Sequence, residues 1–242
     1  MSIKIGIFGT CRIDNYNIED FKQIETNYPY IYRNDKYTIN IRPLGYSTSS
    51  SDVLQNLILL KSGNYNNIKS QFIYKNVLLK HGGTKIITDT DYKYLVLEIC
   101  SIKKIIHKDT GYIFPYEIEG HHNKRDYEII SETFNETVNN IIKIQKYMNC
   151  PIILLPPITK FNGEVIKGVH ENTVKDKILN YRNDIIERLK KASKTKNIYL
   201  LNWNDFIIDK GIKNMIKDQF HFTTFGKKYI SQQIYNFILN NK

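Results

Sequence analysis

The 242-residue sequence predicts a three-layer α/β fold, in which a central five-stranded parallel sheet lies between two layers of helices. Five short apolar runs rich in β-branched residues recur along the chain, and segments with helical periodicity separate them. Near-continuous apolar strands are typical of a parallel sheet that is covered on both faces. No internal repeat, low-complexity tract or interdomain linker divides the sequence, so we expect a single domain over residues 1–242.

The predicted elements alternate from end to end. Strands are expected at residues 3–8, 37–44, 94–99, 151–155 and 197–201. Three apolar stripes at helical spacing predict helices between and after them: Phe134, Val138, Ile141, Ile142, Gln145 and Met148; Ile178, Leu179, Ile185, Ile186 and Leu189; and Tyr229, Ile230, Gln233, Ile234, Phe237 and Ile238. Ser49-x-x-Asp52 is a helix-capping signal. The least regular stretch, residues 106–126, is a candidate lid over the ligand-binding edge, with a solvated loop as the alternative.

Composition and charge restrict the possible partners. The chain has 35 basic and 24 acidic residues and a net charge of +11, which favours anionic partners such as phosphate-bearing molecules. Its lysines are spread along the sequence without a nucleic-acid-binding motif, so no nucleic acid is expected. No apolar run approaches the roughly 20 residues that cross a bilayer. Without a secretory signal, the expected location is the cytoplasm and the expected state of the three cysteines is reduced, without a metal.

The two ends of the chain carry the residues that point to catalysis. Cys11 follows the first predicted strand, and Asp218-Gln219-Phe220-His221 lies near the C-terminus. In an open α/β sheet the carboxyl ends of the strands share one edge, where we expect these residues to converge. A thiol attacks as a thiolate, and Arg12 and His221 would lower its pKa. His221 would act as general base and acid, and Asp218 would orient the imidazole, a pattern typical of acyl transfer or ester hydrolysis.

Five segments, in order, resemble the SGNH (GDSL-type) hydrolase superfamily over nearly the whole chain. The first is Phe8-Gly9-Thr10-Cys11, with cysteine where the family has serine, and the second is Leu44-Gly45-Tyr46-Ser47-Thr48 with the Ser49-Ser50-Ser51-Asp52 that follows. The third is Tyr94-Leu95-Val96-Leu97-Glu98-Ile99-Cys100-Ser101, and the fourth is the apolar run ending at Pro156-Pro157. The fifth and most specific is Asp218-Gln219-Phe220-His221, followed by Gly226 and a helix. The resemblance implies the flavodoxin-like sheet of that family.

The chain departs from the family at the oxyanion hole. The family's glycine falls near Thr48, whose backbone N–H can still donate a hydrogen bond. Its asparagine falls near Ile102, which has no polar side chain, so Ser101 or a backbone N–H would have to substitute. These positions make Arg12, Thr48 and Ser101 the candidate oxyanion or substrate-binding residues.

The cysteine bears on the type of reaction. A thioester intermediate reacts readily with amines, and similar cysteine-bearing relatives occur among capsular-polysaccharide enzymes thought to use acyl-CoA. The resemblance therefore implies an acyltransferase with acetyl-CoA as donor and a sugar or nucleotide-sugar as acceptor. Two alternatives remain open: an esterase or deacetylase with the same Cys11, His221 and Asp218, and a carbohydrate- or nucleotide-binding module without turnover.

Overall fold

The computed structural model describes residues 2–9, 30–33, 38–62, 92–115, 125–159, 172–217 and 221–241. Nine strands lie within these ranges: β1 (Ser2–Gly9), β2 (Tyr30–Arg33), β3 (Thr38–Tyr46), β4 (Tyr94–Glu98), β5 (Lys103–His107), β6 (Ile113–Pro115), β7 (Tyr127–Ser131), β8 (Ile152–Leu155) and β9 (Ile198–Leu200). Six helices accompany them: α1 (Ser50–Ser62), α2 (Phe134–Met148), α3 (Asn172–Ala192), α4 (Trp203–Lys210), α5 (Ile212–Met215) and α6 (Thr224–Asn240).

The central sheet has the strand order β2-β3-β1-β4-β8-β9. Its strands β3, β1, β4, β8 and β9 pair in parallel, and this order is the flavodoxin-like one. The α/β fold class and the five parallel strands are thus confirmed, with bounds within about two residues of those predicted. Strand β2, which was not predicted, adds a sixth, antiparallel strand beside β3.

A second, antiparallel sheet has the order β6-β5-β7. It begins five residues after β4 and has a small core of its own, formed by Ile105, Tyr112 and Phe114. Part of the stretch that was expected to be irregular therefore consists of strands. Residues 116–124 lie outside the described ranges, so the role of 106–126 as a lid stays a prediction.

Helices cover both faces of the central sheet. On one face Leu95 and Leu97 of β4 join the first core cluster, to which α1, α2 and α3 contribute apolar side chains. On the other face Tyr94 and Val96 join the second cluster, with α4, α5 and α6. Alternate side chains of one strand thus pack into opposite cores, which explains why all five positions of β4 are buried.

Helix α6 runs antiparallel to β4 along the second face. The Tyr94 hydroxyl, at the start of β4, donates to the carbonyl of Asn241 at the far end of α6 (2.5 Å). The 17 residues of α6 span about 25 Å, at roughly 1.5 Å per residue, whereas the 5 residues of β4 span about 17 Å. The first turn of α6, and His221 just before it, therefore lie at the carboxyl edge of the sheet.

Candidate active site

Backbone hydrogen bonds join the turns that leave three neighbouring strands. The Ser47 N–H donates to the carbonyl of Gly9 at the end of β1 (3.1 Å). The N–H groups of Cys100 and Ser101, just after β4, both donate to the carbonyl of Thr48 (3.0 and 2.9 Å). The end of β1, two residues before Cys11, is thereby tied to the two segments in which the oxyanion donors were predicted.

A β-bulge shapes the end of β1. The pairing of β1 with β3 shifts between Ile7 and Phe8, so that Phe8 is opposite Gly45 and Leu44 is skipped. A bulge bends the strand that carries the extra residue and often occurs beside an active site. Here it lies on β3 and sets the direction in which the Ser47–Thr48 turn leaves the sheet.

Backbone pairing joins His221 and Phe222 to the residues that follow α5. The Lys217 N–H donates to the His221 carbonyl (3.0 Å), and Ile216 and Phe222 form an antiparallel bridge. Phe222 is buried, with its ring edge-on to that of Trp203 at 5.0 Å between centroids. The backbone of His221 and Phe222 is therefore anchored, while His221 as a whole is only half-buried.

The first turn of α6 packs closely against the end of α5. Thr223 caps α6: its hydroxyl oxygen accepts from the Gly226 N–H (3.0 Å), and its own N–H donates to the Met215 carbonyl (2.9 Å). A Cβ atom at Gly226 would lie 3.1 Å from the Met215 carbonyl carbon and 3.2 Å from its Cα. The glycine of the fifth segment is thus explained by lack of space beside a backbone.

The predicted cap of α1 is present and also engages Thr48. A carboxylate oxygen of Asp52 accepts from the N–H of Ser49 (3.2 Å), and the Asp52 N–H donates to the Ser49 hydroxyl oxygen (3.4 Å). The second oxygen of Asp52 accepts from the N–H of Thr48 (3.0 Å). Burial raises the pKa of Asp52 to about 7, the Thr48 and Ser49 N–H groups counter this rise, and the charge of Glu132 adds to it.

Glu132 is a second carboxylate at the start of α1. It is 2% exposed and accepts hydrogen bonds from the Ser51 N–H (2.7 Å) and from the hydroxyls of Ser50 (2.7 Å) and Thr137 (2.9 Å). Arg188 donates to the Glu132 carbonyl (3.0 Å) from α3. Carboxylates are favoured at a helix N-terminus, and together Asp52 and Glu132 accept from three backbone N–H groups there.

A tyrosine that the sequence analysis missed lies beside Ser101. The Tyr181 hydroxyl oxygen is 3.0 Å from the Ser101 hydroxyl and accepts from the Ile102 N–H (3.0 Å). Ser101 Oγ also accepts from the Lys103 N–H (2.9 Å). Tyr181 is separated from Ser101 by 80 residues, so no local pattern in the sequence signals this contact.

The predicted site residues fall into two groups. Cys11, Arg12 and Asp218 lie outside the described residues, so their roles stay predictions. His221, Thr48 and Ser101 are all at the carboxyl edge, but the N–H groups of Thr48 and Ser101 donate to Asp52 and to the Thr48 carbonyl, respectively. Their assignment as oxyanion donors stays a prediction that would require these bonds to rearrange.

The remaining candidate features are two further cysteines, a metal site and a membrane-spanning helix. Cys150 is buried in the first core cluster, as predicted, and Cys100 is half-buried. Within the described ranges no three histidine, cysteine, aspartate or glutamate side chains are grouped so that they could hold a metal ion. No helix in the described part of the chain is long and apolar enough to cross a bilayer.

The structure is similar to those of several esterases, while no protein-family model and no curated protein matches the sequence. The acetyl xylan esterase AlAXEase has 14% identity, coverage of 97% of this chain and 98% of that one, and a TM-score of 0.43. Axe2, an acetylxylan esterase from Geobacillus stearothermophilus, has 10% identity, coverage of 98% of this chain and 94% of that one, and a TM-score of 0.45. The psychrotrophic esterase EstA from Pseudoalteromonas sp. has 14% identity, coverage of 98% of this chain and 99% of that one, and a TM-score of 0.45. Likeness at this level by itself decides neither the activity nor the substrate of this chain.

Proposed function

We propose that the protein is an acyltransferase that forms a thioester on Cys11 and passes the acyl group to a sugar or nucleotide-sugar. Acetyl-CoA is the proposed donor. His221 takes the thiol proton and later returns a proton to the leaving group, and Asp218 orients the imidazole. Arg12 favours the thiolate by its positive charge.

One observation carries the proposal. Helix α6 begins at the carboxyl edge and runs back along the sheet. His221, which comes just before α6 and more than 200 residues after β1, therefore lies at the edge at which β1 ends. Cys11 follows the end of β1 by two residues. A histidine and a cysteine brought together at this edge would form a pair that activates the thiol as a nucleophile.

Hydrolysis of an acetyl ester is the second candidate and requires the same three residues. His221 is half-buried, so water can reach the residue that would activate it. The two reactions share the thioester and differ in the group that attacks it, a sugar hydroxyl or amine in transfer and water in hydrolysis.

Intact-mass spectrometry after incubation with acetyl-CoA or an activated acetyl ester tests the proposal. We expect a single acetyl adduct in the wild type and in Cys150→Ala, a matched control that removes a buried thiol, and none in Cys11→Ala. His221→Ala should slow adduct formation by about 10³-fold, since loss of a catalytic base has effects of this order.

The fate of the adduct separates the candidates. Discharge by an amino-sugar or a sugar supports transfer, and discharge by water alone supports hydrolysis. A folded wild-type protein that gains no adduct and turns over no acceptor, assayed in parallel, would contradict both and favour a binding module.

A further inference from the structure

We propose that the hydroxyl of Tyr181 is the side-chain donor to the acyl oxygen at this site, in the role that the SGNH resemblance gives to an asparagine near Ile102. The inference rests on the proposed function, because it concerns the same acyl-transfer step. It assigns a catalytic role to a residue of α3, which belongs to none of the five segments that resemble the family.

The contacts of Tyr181 place its oxygen at the turn after β4. Tyr181 Oη lies 3.0 Å from Ser101 Oγ and 3.0 Å from the Ile102 nitrogen. These two residues follow the carboxyl end of β4, the strand next to β1. The hydroxyl is therefore at the position in the fold where Ile102 offers no polar side chain.

The hydrogen bonds of this turn leave the hydroxyl proton of Tyr181 available to donate to a further acceptor. Ser101 Oγ accepts from the Lys103 N–H (2.9 Å), and its single proton can go to the Lys103 carbonyl (3.3 Å) or to Tyr181 Oη (3.0 Å). When it goes to Tyr181, that oxygen accepts from both Ser101 and the Ile102 N–H. Its own proton then has no acceptor within the described ranges. Two donors on one phenol oxygen also strengthen the hydrogen bond that the phenol gives.

The two proposed groups reach the reacting edge from opposite layers. Tyr181 packs against the first core cluster, whereas His221 is followed by Phe222 and α6 of the second cluster. An acyl group held over the ends of β1 and β4 would thus have the layer that carries Tyr181 on one side and the layer next to His221 on the other. Donor and base do not compete for the same space.

The Cys11 sulfur forms a bond to the carbonyl carbon of acetyl-CoA, and the C=O π pair moves to the oxygen, which accepts a hydrogen bond from Tyr181 without taking its proton. The pair then returns, the bond from carbon to the CoA sulfur breaks, and the departing thiolate takes the proton that His221 had removed from Cys11. Removal of one such donor typically slows a reaction by about 10²–10³-fold.

Rapid-mixing measurements of Cys11 acylation test the assignment. We expect Tyr181→Phe to slow acylation by about 10²-fold while KM changes by less than about threefold. Tyr147→Phe is the matched control, since Tyr147 is in the last turn of α2, at the opposite edge of the sheet, and should leave the rate unchanged. Thermal unfolding of all variants shows whether each one is folded.

Graded substitution separates a catalytic role from a structural one. The chain has 18 tyrosines, so 3-fluorotyrosine and 3,5-difluorotyrosine would be introduced at position 181 alone by codon suppression. At about pH 6 these phenols keep their proton but donate more strongly, so acylation should accelerate with each fluorine. A residue that only holds the turn would show no such trend.

Three outcomes would overturn the proposal. The assignment is wrong if acylation of Tyr181→Phe stays within about threefold of the wild type, or if the rate falls without any dependence on fluorination. In both cases the proposed function survives, because the wild type is acylated. A wild type that no acyl donor modifies overturns the proposed function and this inference together.

Discussion

Replacement of Gly226 by alanine tests whether the packing of α6 fixes the position of His221. The added methyl group would overlap the backbone of Met215, whose carbonyl carbon and Cα lie 3.1 and 3.2 Å from its position and whose carbonyl oxygen is closer still. A backbone cannot rotate away as a side chain does. Helix α6 would have to move by about 1 Å to restore ordinary van der Waals contact.

The expected cost follows from two opposing effects. Overpacking of a close contact destabilises by about 1–3 kcal/mol, and the upper end applies because the obstacle is main chain. Alanine has a higher helix propensity than glycine, which stabilises α6 by up to about 1 kcal/mol. We therefore expect Gly226→Ala to lose about 2 kcal/mol of unfolding free energy, or about 4–8 °C in Tm for a chain of this size.

The rate of Cys11 acylation in Gly226→Ala should fall by more than the loss of unfolding free energy alone would predict. The shift would strain the bond from the Thr223 N–H to the Met215 carbonyl, two residues from His221. A displacement of about 1 Å at a catalytic group can slow the reaction by about 10²-fold. Thermal unfolding and Cys11 acylation would be measured on the same samples.

Gly111→Ala provides the comparison. Gly111 has φ 67°, and no atom lies within 4 Å of an added Cβ, so its substitution adds backbone strain of about 1 kcal/mol without overlap. It should lower Tm slightly. A Gly226→Ala protein with wild-type Tm would refute the steric argument, and one with a reduced Tm but an unchanged rate would refute the link to His221.

Three further predictions concern the polar groups near the site. Because the pKa of Asp52 is raised from 3.8 to about 7, the unfolded chain loses this proton at a lower pH than the folded protein, and stability should fall by roughly 3 kcal/mol as the pH rises from 4 to 7. Chemical denaturation of Asp52→Asn should lack this decline, and an identical slope would contradict the prediction. Glu132→Ala leaves the Ser50 hydroxyl and the Ser51 N–H unpaired, whereas the Thr137 hydroxyl can still donate to the Thr133 carbonyl (3.3 Å). By urea denaturation the substitution should cost about 3 kcal/mol, against less than about 1 kcal/mol for the exposed Glu187→Ala. Equal costs would show that the buried carboxylate is not stabilising. Thr223→Ala removes the α6 cap and should cost about 1 kcal/mol in the same assay; an unchanged midpoint would exclude that role.

The central sheet was predictable because its signal is local. Each parallel strand is a continuous apolar run, and the Ser49–Asp52 cap depends on residues three apart. The strands β2 and β6 are as short as β8 and β9, but they end in Arg33 and Pro115 and so lack a continuous apolar run typical of a buried strand. In α2 the predicted stripe was slightly rotated: Phe134 is 38% exposed, and Asn140 is buried because its amide donates to Ser51.

The candidate site was predictable only in part. The fifth segment predicted His221, which lies at the carboxyl edge of the sheet, but its catalytic role stays a prediction, as does that of Cys11. The contacts of Glu132 with Ser50 and of Tyr181 with Ser101 join residues about 80 positions apart, and no spacing rule predicts them. Likewise, a sequence cannot show that the Thr48 N–H, which is free to donate in an extended chain, is directed to the carboxylate of Asp52.

The alternation along β4 has a consequence for the evolution of this site. Val96 and Leu97 are neighbours in sequence, yet they support the helical layers that carry His221 and Tyr181, respectively. A change in volume at Val96 would push on the histidine side and one at Leu97 on the tyrosine side. Two adjacent codons could therefore adjust the spacing between the two groups independently, without any substitution in the site itself.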